Sequence, residues 1–280
     1  MAETKKTTKA APAPAAPQPE QKAVVALDWS VAGVTGFENV QARDLGIPFL
    51  IILQSGSPEV KKTHPKYEQA KIDGAVEGTV INTVTRKILH QPGDEPLEVI
   101  PLYWDKLFVE WKPRQGGSGG GGFVTVHRDE LLLSKCRKNE KNQDVLPNGN
   151  TLVTTAYFYV LYKDPDETDV EKQLKQAIIG MSSTQLRASR QWLNISQSIK
   201  VALPNGKKVT PPLFSHRYLL SSVPQNNDKG SWMGWKIEVS EMLTDPAEAD
   251  AVISEVRNAK EFAQLNAPVD SSAESDNDPM

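Results

Sequence analysis

Aromatic and cationic residues interleave in five short stretches: Trp104-Asp-Lys-Leu-Phe108, Trp111-Lys-Pro-Arg114, Tyr157 to Lys163, Arg187 to Trp192 and Trp232 to Lys236. Held together, residues of these two kinds bind unpaired polynucleotides. Flat rings stack on base faces, each contributing about 1–3 kcal/mol, while cations meet the phosphates between the bases. Trp104, Phe108, Trp111 and Trp232 are the candidate stacking rings, and Lys106, Lys112, Arg114, Arg187, Arg190 and Lys236 the candidate phosphate contacts. Trp192 and Trp235 fall on apolar stripes and are assigned to the core. Arg187 and Arg190 are three residues apart and so are neighbours on one helical surface.

Other chemistries find less support. Gly117-Ser-Gly-Gly-Gly-Gly122 satisfies the dinucleotide G-x-G-x-x-G spacing, but the strand-like Phe123-Val-Thr-Val126 follows it instead of a helix whose N-terminus would hold pyrophosphate. It reads as a flexible hairpin tip. His64, His90, His127 and His216 sit in unlike contexts with no H-E-x-x-H or H-x-E partner, and read as surface or structural residues. Cys136 lies among Lys135, Arg137 and Lys138, which would depress its thiol pKa if they stay close. A single cysteine forms no intrachain disulfide, and no His/Cys set has zinc spacing. The chain is therefore read as a non-enzyme without metal or cofactor.

These residues need elements to position them. Ile47-Pro-Phe-Leu-Ile-Ile-Leu-Gln54 and Gly78-Thr-Val-Ile-Asn-Thr-Val-Thr85 read as buried strands. Leu97 to Lys112 reads as a long strand bulged at Pro101. Period two places Tyr103, Leu107, Val109 and Trp111 on one face of it, and Trp104, Lys106, Phe108, Glu110 and Lys112 on the other. A strand at Phe123 to His127 completes a Gly-rich hairpin. Further strands are expected at Leu152 to Lys163, Gln176 to Met181, Phe214 to Val223 and Trp232 to Val239. Two amphipathic helices are expected. One runs from Thr184 to about Lys200 with Ala188, Trp192, Ile195 and Ile199 inward. The other is capped at Asp245 and carries Val252, Val256, Ala259 and Ala263 inward. The fold class is mainly β (α+β).

Of the 280 residues, 32 are Lys or Arg and 35 Asp or Glu, unevenly spread. Residues 1–22 form an Ala/Pro/Lys arm of net charge +2, too poor in apolar residues to fold. Residues 23–244 form the slightly basic body, 245–267 the C-terminal helix and 268–280 an acidic disordered tail. From Asp245 onward the net charge is −7. The longest strongly apolar run, Ile47 to Leu53, is far short of the roughly 20 residues that span a bilayer. No membrane partner is expected, and a reducing cytoplasm fits best.

Several segments resemble a family of tailed-bacteriophage single-stranded DNA-binding proteins: Ile47 to Gln54 with Ser57-Pro-Glu59, Asn82-Thr-Val-Thr85, Val109 to Arg114, Gly120 to Val124, Ser182 to Trp192, and Pro211-Pro212. The resemblance covers about Ala23 to Val239. It implies an OB-like β-barrel, here with insertions, acting in phage replication or recombination in the infected bacterial cytoplasm, with single-stranded DNA as ligand and possible homo-oligomers. Asp276-Asn-Asp-Pro-Met280 is similar to the acidic tips through which such binders recruit replication or recombination proteins, which usually end in Phe; Met280 departs from that pattern. Asp276, Asp278, Pro279 and Met280 are thus the candidate partner-binding residues. Two alternatives stay open: a protein-binding module or host-enzyme inhibitor acting through the acidic tail, and a nuclease, although no carboxylate pair for Mg²⁺ stands out.

Overall fold

The computed structural model describes residues 48–113, 122–169, 172–228 and 230–265. In chain order the first elements are β1 (Leu50–Ile52), α1 (Tyr67–Ala70), β2 (Val80–Asn82), β3 (Ile88–His90), β4 (Leu97–Lys112), β5 (Gly122–His127), β6 (Arg137–Lys138) and β7 (Asp144–Val145). They are followed by β8 (Thr151–Lys163), β9 (Leu174–Ser182), α2 (Leu186–Ser198), β10 (Val201–Ala202), β11 (Lys208–Val209), β12 (His216–Asn227), β13 (Gly230–Met242) and α3 (Pro246–Leu265). The protein is mainly β, built on a curled half-barrel sheet of the OB-like kind. The expected Ala/Pro/Lys arm (1–22) and acidic tail (268–280) lie outside the described residues.

The sheet is organised on β4 and β8, two long strands rich in β-branched and aromatic residues that suit a pleated surface. They pair antiparallel from Val99↔Tyr162 to Trp111↔Thr151. Their outer neighbours give the order β13-β12-β4-β8-β7-β6, with β5 also on β4 and β9 also on β8. One irregularity interrupts the β4–β8 ladder: Pro101 pairs with Val160 and Tyr103 with Tyr159, leaving Leu102 as an extra residue. The bulge stands at the proline, which has no N–H to donate. It shifts the side-chain phase by one, so Leu97 and Val99 point into the barrel together with Trp104, while Tyr103 and Leu107 turn outward.

β1 spans the open side of the curl. Phe49 bridges Ile178 of β9, whose N–H donates to the Pro48 carbonyl at 2.9 Å. On the other side the Gln54 side-chain amide satisfies β13: Nε2 donates to the Met233 carbonyl at 3.0 Å, and the Met233 N–H donates to Oε1 at 2.9 Å. Inside lie Leu50, Val80, Phe158, Ile179, Tyr218, Leu220, Trp235 and Ile237. Trp192 of α2 plugs them, wholly buried, stacked on Phe158 with centroids 4.2 Å apart and tilted 60° to Tyr218. The core assignments of Trp192 and Trp235 hold.

α2 begins two residues later than expected because Ser183–Gln185 forms a 3-10 turn. Gln185 is withheld from capping: its amide bonds the Met233 carbonyl and the Trp235 N–H. α3 starts as expected, with Asp245 Oδ1 accepting the Ala247 N–H at 3.2 Å. It lays Val252, Ala259 and Ala263 on the outer sheet face over Ile100, Leu102, Leu107, Tyr157 and Tyr159. Arg217 bonds Glu98, Glu241 and Glu248, and Arg128 bonds Asp105 and the Ala263 carbonyl, so both ends of α3 are pinned. Among the described residues no helix is long and apolar enough to cross a membrane.

Removing the plug has a calculable cost. Trp192→Ala is expected to lower unfolding free energy by about 3–5 kcal/mol in urea denaturation, and Trp192→Phe by less, since a ring still stacks on Phe158. A loss below about 1 kcal/mol for the alanine variant would mean that the barrel core does not depend on this contact.

Candidate nucleic-acid interface

β4 and β8 outrun the barrel. Their outer halves continue as an arm, with β5 along one edge and β7 and β6 along the other. Following the register straight across the arm gives a single row: Phe123 faces Trp111, Trp111 faces Thr151, Thr151 faces Val145, and Val145 faces Arg137. Direct partners in antiparallel ladders point to the same side of a sheet. With strands about 4.8 Å apart, this row is about 19 Å long. A second bulge, between Glu110 and Trp111, sets Val124 aside and brings Phe123 opposite Trp111. The two rings meet edge to face, centroids 6.0 Å apart and planes at 75°. Phe123 is 39 % exposed, Trp111 is half-buried, and Arg137 and Lys112 are exposed. Neither of these two cations forms an ion pair among the described residues.

On the reverse face, one residue away from Trp111, Glu110 is only 5 % exposed. Its Oε2 accepts from His127 Nε2 at 2.7 Å, and its Oε1 accepts from Asn148 Nδ2 at 2.9 Å and Asn150 Nδ2 at 2.5 Å. A carboxylate accepts only, so His127 carries its proton on Nε2. Burial pushes the Glu110 carboxyl upward, but the bonds from Asn150, His127 and Asn148 and the attraction of His127 outweigh it and hold the group below its ordinary range. This cluster ties β4, β5 and the turn before β8 together beneath the row.

The expected single groove is divided among several places. Trp111 and Lys112 stand on the arm. Trp104 shares the interior face with Phe158 and packs half-buried on the core. Phe108 is corrected as a stacking ring: it is 1 % exposed, sealed among Leu132, Leu133, Leu146 and Leu152. The alternation that put Trp104, Lys106 and Phe108 on one face holds, but the sheet curls and packs that face inward. Lys106 lies 5.8 Å from the Phe108 ring centroid and pairs with Glu130 at 2.7 Å. Trp232 is half-buried on the outer face of β13, its Nε1 donating to Gln225 Oε1 at 3.1 Å, and Lys236 pairs with Glu238 at 2.7 Å. Arg187 and Arg190 are exposed on α2, apart from the arm rings. Arg114, Asp276, Asp278, Pro279 and Met280 lie outside the described residues.

Cys136 also differs from expectation. Burial and then Asp144 push its thiol pKa up, with Lys138 only partly opposing them. Phe123, Thr151 and Arg137 escape sequence reasoning because they join Trp111 only through the register of five strands, two of them two residues long. Among the described residues no three His, Cys, Asp or Glu side chains gather to hold a metal ion.

A curled antiparallel sheet carrying an arm with exposed Phe123 set against half-buried Trp111, and with Lys112 and Arg137 exposed on the same arm, is a scaffold for presenting a surface. The chain matches the model of the Pam3 phage gp34-like protein family over residues 18–261 and belongs to that family, so it is a bacteriophage protein. No curated protein and no solved structure matches it.

The buried carboxylate makes stability depend on acidity. A group whose folded pKa is depressed contributes stability above its unfolded pKa and loses it as pH falls through the folded value. Urea midpoints measured from neutral pH down through the carboxylate range should therefore fall further in the wild type than in Glu110→Gln. Parallel curves for the two proteins would remove Glu110 from this role.

Proposed function

We propose that this phage protein is a non-enzymatic single-stranded DNA binder of replication or recombination that holds the strand on its arm, in the infected bacterial cytoplasm. The reading rests on one observation, the row of Phe123, Trp111, Thr151, Val145 and Arg137, in which Val145 is buried and Lys112 adjoins Trp111 in the sequence. Phe123 and Trp111 offer ring surface to bases, Arg137 at the far end of the row meets a phosphate, and Lys112, next to Trp111 but on the opposite face of β4, meets phosphate at the edge of the arm. Arg114, which follows Lys112 by two residues in the sequence, is a further candidate phosphate contact in this reading. The Thr151 hydroxyl is already turned to the Trp111 carbonyl at 3.4 Å. The row thus has little with which to read base edges, and binding is tolerant of sequence. In this reading the acidic residues Asp276 and Asp278, with Pro279 and Met280, recruit partner proteins.

Anisotropy of labelled oligo-dT with the full chain tests this. Trp111→Ala and Phe123→Ala should each weaken binding by about 1–3 kcal/mol. Lys112→Ala and Arg137→Ala should each flatten the log–log salt slope by about 0.7. Absence of binding, affinity indifferent to salt, or full affinity in Trp111→Ala would reject the proposal.

A further inference from the structure

Between Glu171 and Asp228 the chain contains no acidic residue and eight Lys or Arg. Three of these are engaged: Lys172 with Asp169, Lys175 with Glu167, and Arg217 with its three glutamates. The other five, Arg187, Arg190, Lys200, Lys207 and Lys208, are all exposed and form no ion pair among the described residues.

They are collected on two joined elements. α2 buries Ala188, Ser189 and Trp192, which leaves Arg187, Arg190, Asn194 and Gln197 exposed at spacings of three, four and three along its opposite stripe, about 15 Å long. The β10–β11 hairpin follows directly, its turn closed by the Gly206 N–H donating to the Leu203 carbonyl at 2.8 Å with Gly206 at φ 80°. Lys200 fastens the hairpin to the helix end by bonding the Gln197 carbonyl at 3.2 Å and the Thr210 hydroxyl. Lys207 and Lys208 stand on this hairpin, joined to the end of the helix that carries Arg187 and Arg190.

The surface lacks what the arm possesses. From Leu186 to Thr210 the sole aromatic residue is Trp192, and it is fully buried. Cations with Asn and Gln and no exposed ring make contacts to phosphate and sugar, which position a nucleic acid without engaging its bases. That chemistry suits a backbone whose bases are already stacked and paired.

We propose that the α2 stripe and the β10–β11 hairpin form a second polyanion site that takes the phosphate backbone of duplex DNA, so that the protein seats where single strand meets duplex. The junction preference rests on the arm holding single strand; the duplex site does not.

The test uses the full chain and three labelled probes: oligo-dT, a blunt duplex, and the same duplex with a dT overhang. Wild type should bind the overhang duplex at least about tenfold tighter than either simple probe, since two linked contacts reinforce each other. Combining Arg190→Ala, Lys207→Ala and Lys208→Ala, all at exposed positions, should leave the melting temperature and oligo-dT affinity unchanged. The same variant should abolish the overhang advantage and lower the blunt-duplex salt slope by about 2.7. Equal loss on oligo-dT, or no preference for the overhang in a wild type that does bind oligo-dT, overturns the proposal. Blunt-duplex binding absent or indifferent to the triple change also overturns it, and is the outcome if a protein or the chain's acidic end occupies this face. Failure of the arm reading is separate: wild type then does not bind oligo-dT at all.

Discussion

The pairing of β4 with β8 is the constraint on which everything else depends. At 16 and 13 residues these strands are too long to serve only as barrel walls, and they pair over nearly their whole length. Their inner halves carry Val99, Phe158, Val160 and Tyr162 into the interior, and their outer halves leave the barrel and become the arm. The bulge at Leu102 decides which residue goes where. A strand without it would carry Tyr103 inward and Trp104 outward, exchanging the two faces all the way to Lys112. One extra residue near the middle of the strand thus sets the side on which Trp111 emerges.

Apolar burial tolerates some polar loss in this core. Trp104 Nε1, Trp192 Nε1 and the Tyr159 hydroxyl are buried and have no hydrogen-bond partner among the described residues. Each such group costs about 1–3 kcal/mol, so the ring bodies must outweigh their own polar tips. Tyr159 shows the same tension, since burial first and Asp105 second drive its phenol pKa far above the ordinary value. The Phe158–Trp192–Tyr218 group explains why the arrangement survives: stacked and tilted rings add attraction beyond the area they bury.

Much of the scaffold was legible in the sequence because its signals are local. Leu97 to Lys112 was readable to the residue, including the irregularity at Pro101, since β-branched and aromatic alternation over 16 positions fits nothing else. Asp245 and Pro246 marked the start of α3 for similar reasons. The short strands β3, β6, β7, β10 and β11 carry too few residues for a period to appear. The site was less legible because periodicity assigns side chains to two faces without saying which face is covered. Trp104 and Phe108 share a face with Lys106, yet that face meets the barrel core at Trp104 and the cluster of Leu146 and Leu152 at Phe108. Conversely, Arg137 joins Trp111 only because β6, β7, β8 and β4 happen to be in register.

The arm also shows how one face of a thin sheet is held by the other. The row at Trp111 lies beyond the barrel core, and beneath it the arm has its own small apolar cluster of Phe108, Leu146 and Leu152. Glu110 adds a directional tie to it. It shares its backbone with Trp111 but points to the reverse side, where it gathers one donor from β5 and two from the turn that leads into β8. A hydrophobic residue there would bury area but could not fix both neighbours by direction, because apolar contact carries no angular preference. A carboxylate with three donors does so, since each bond has a narrow geometry and loses strength steeply when misaligned. The same cluster that removes a charge from water therefore holds β5 and the turn before β8 to β4 beneath Phe123, Trp111 and Thr151, whose spacing the strand ladders set.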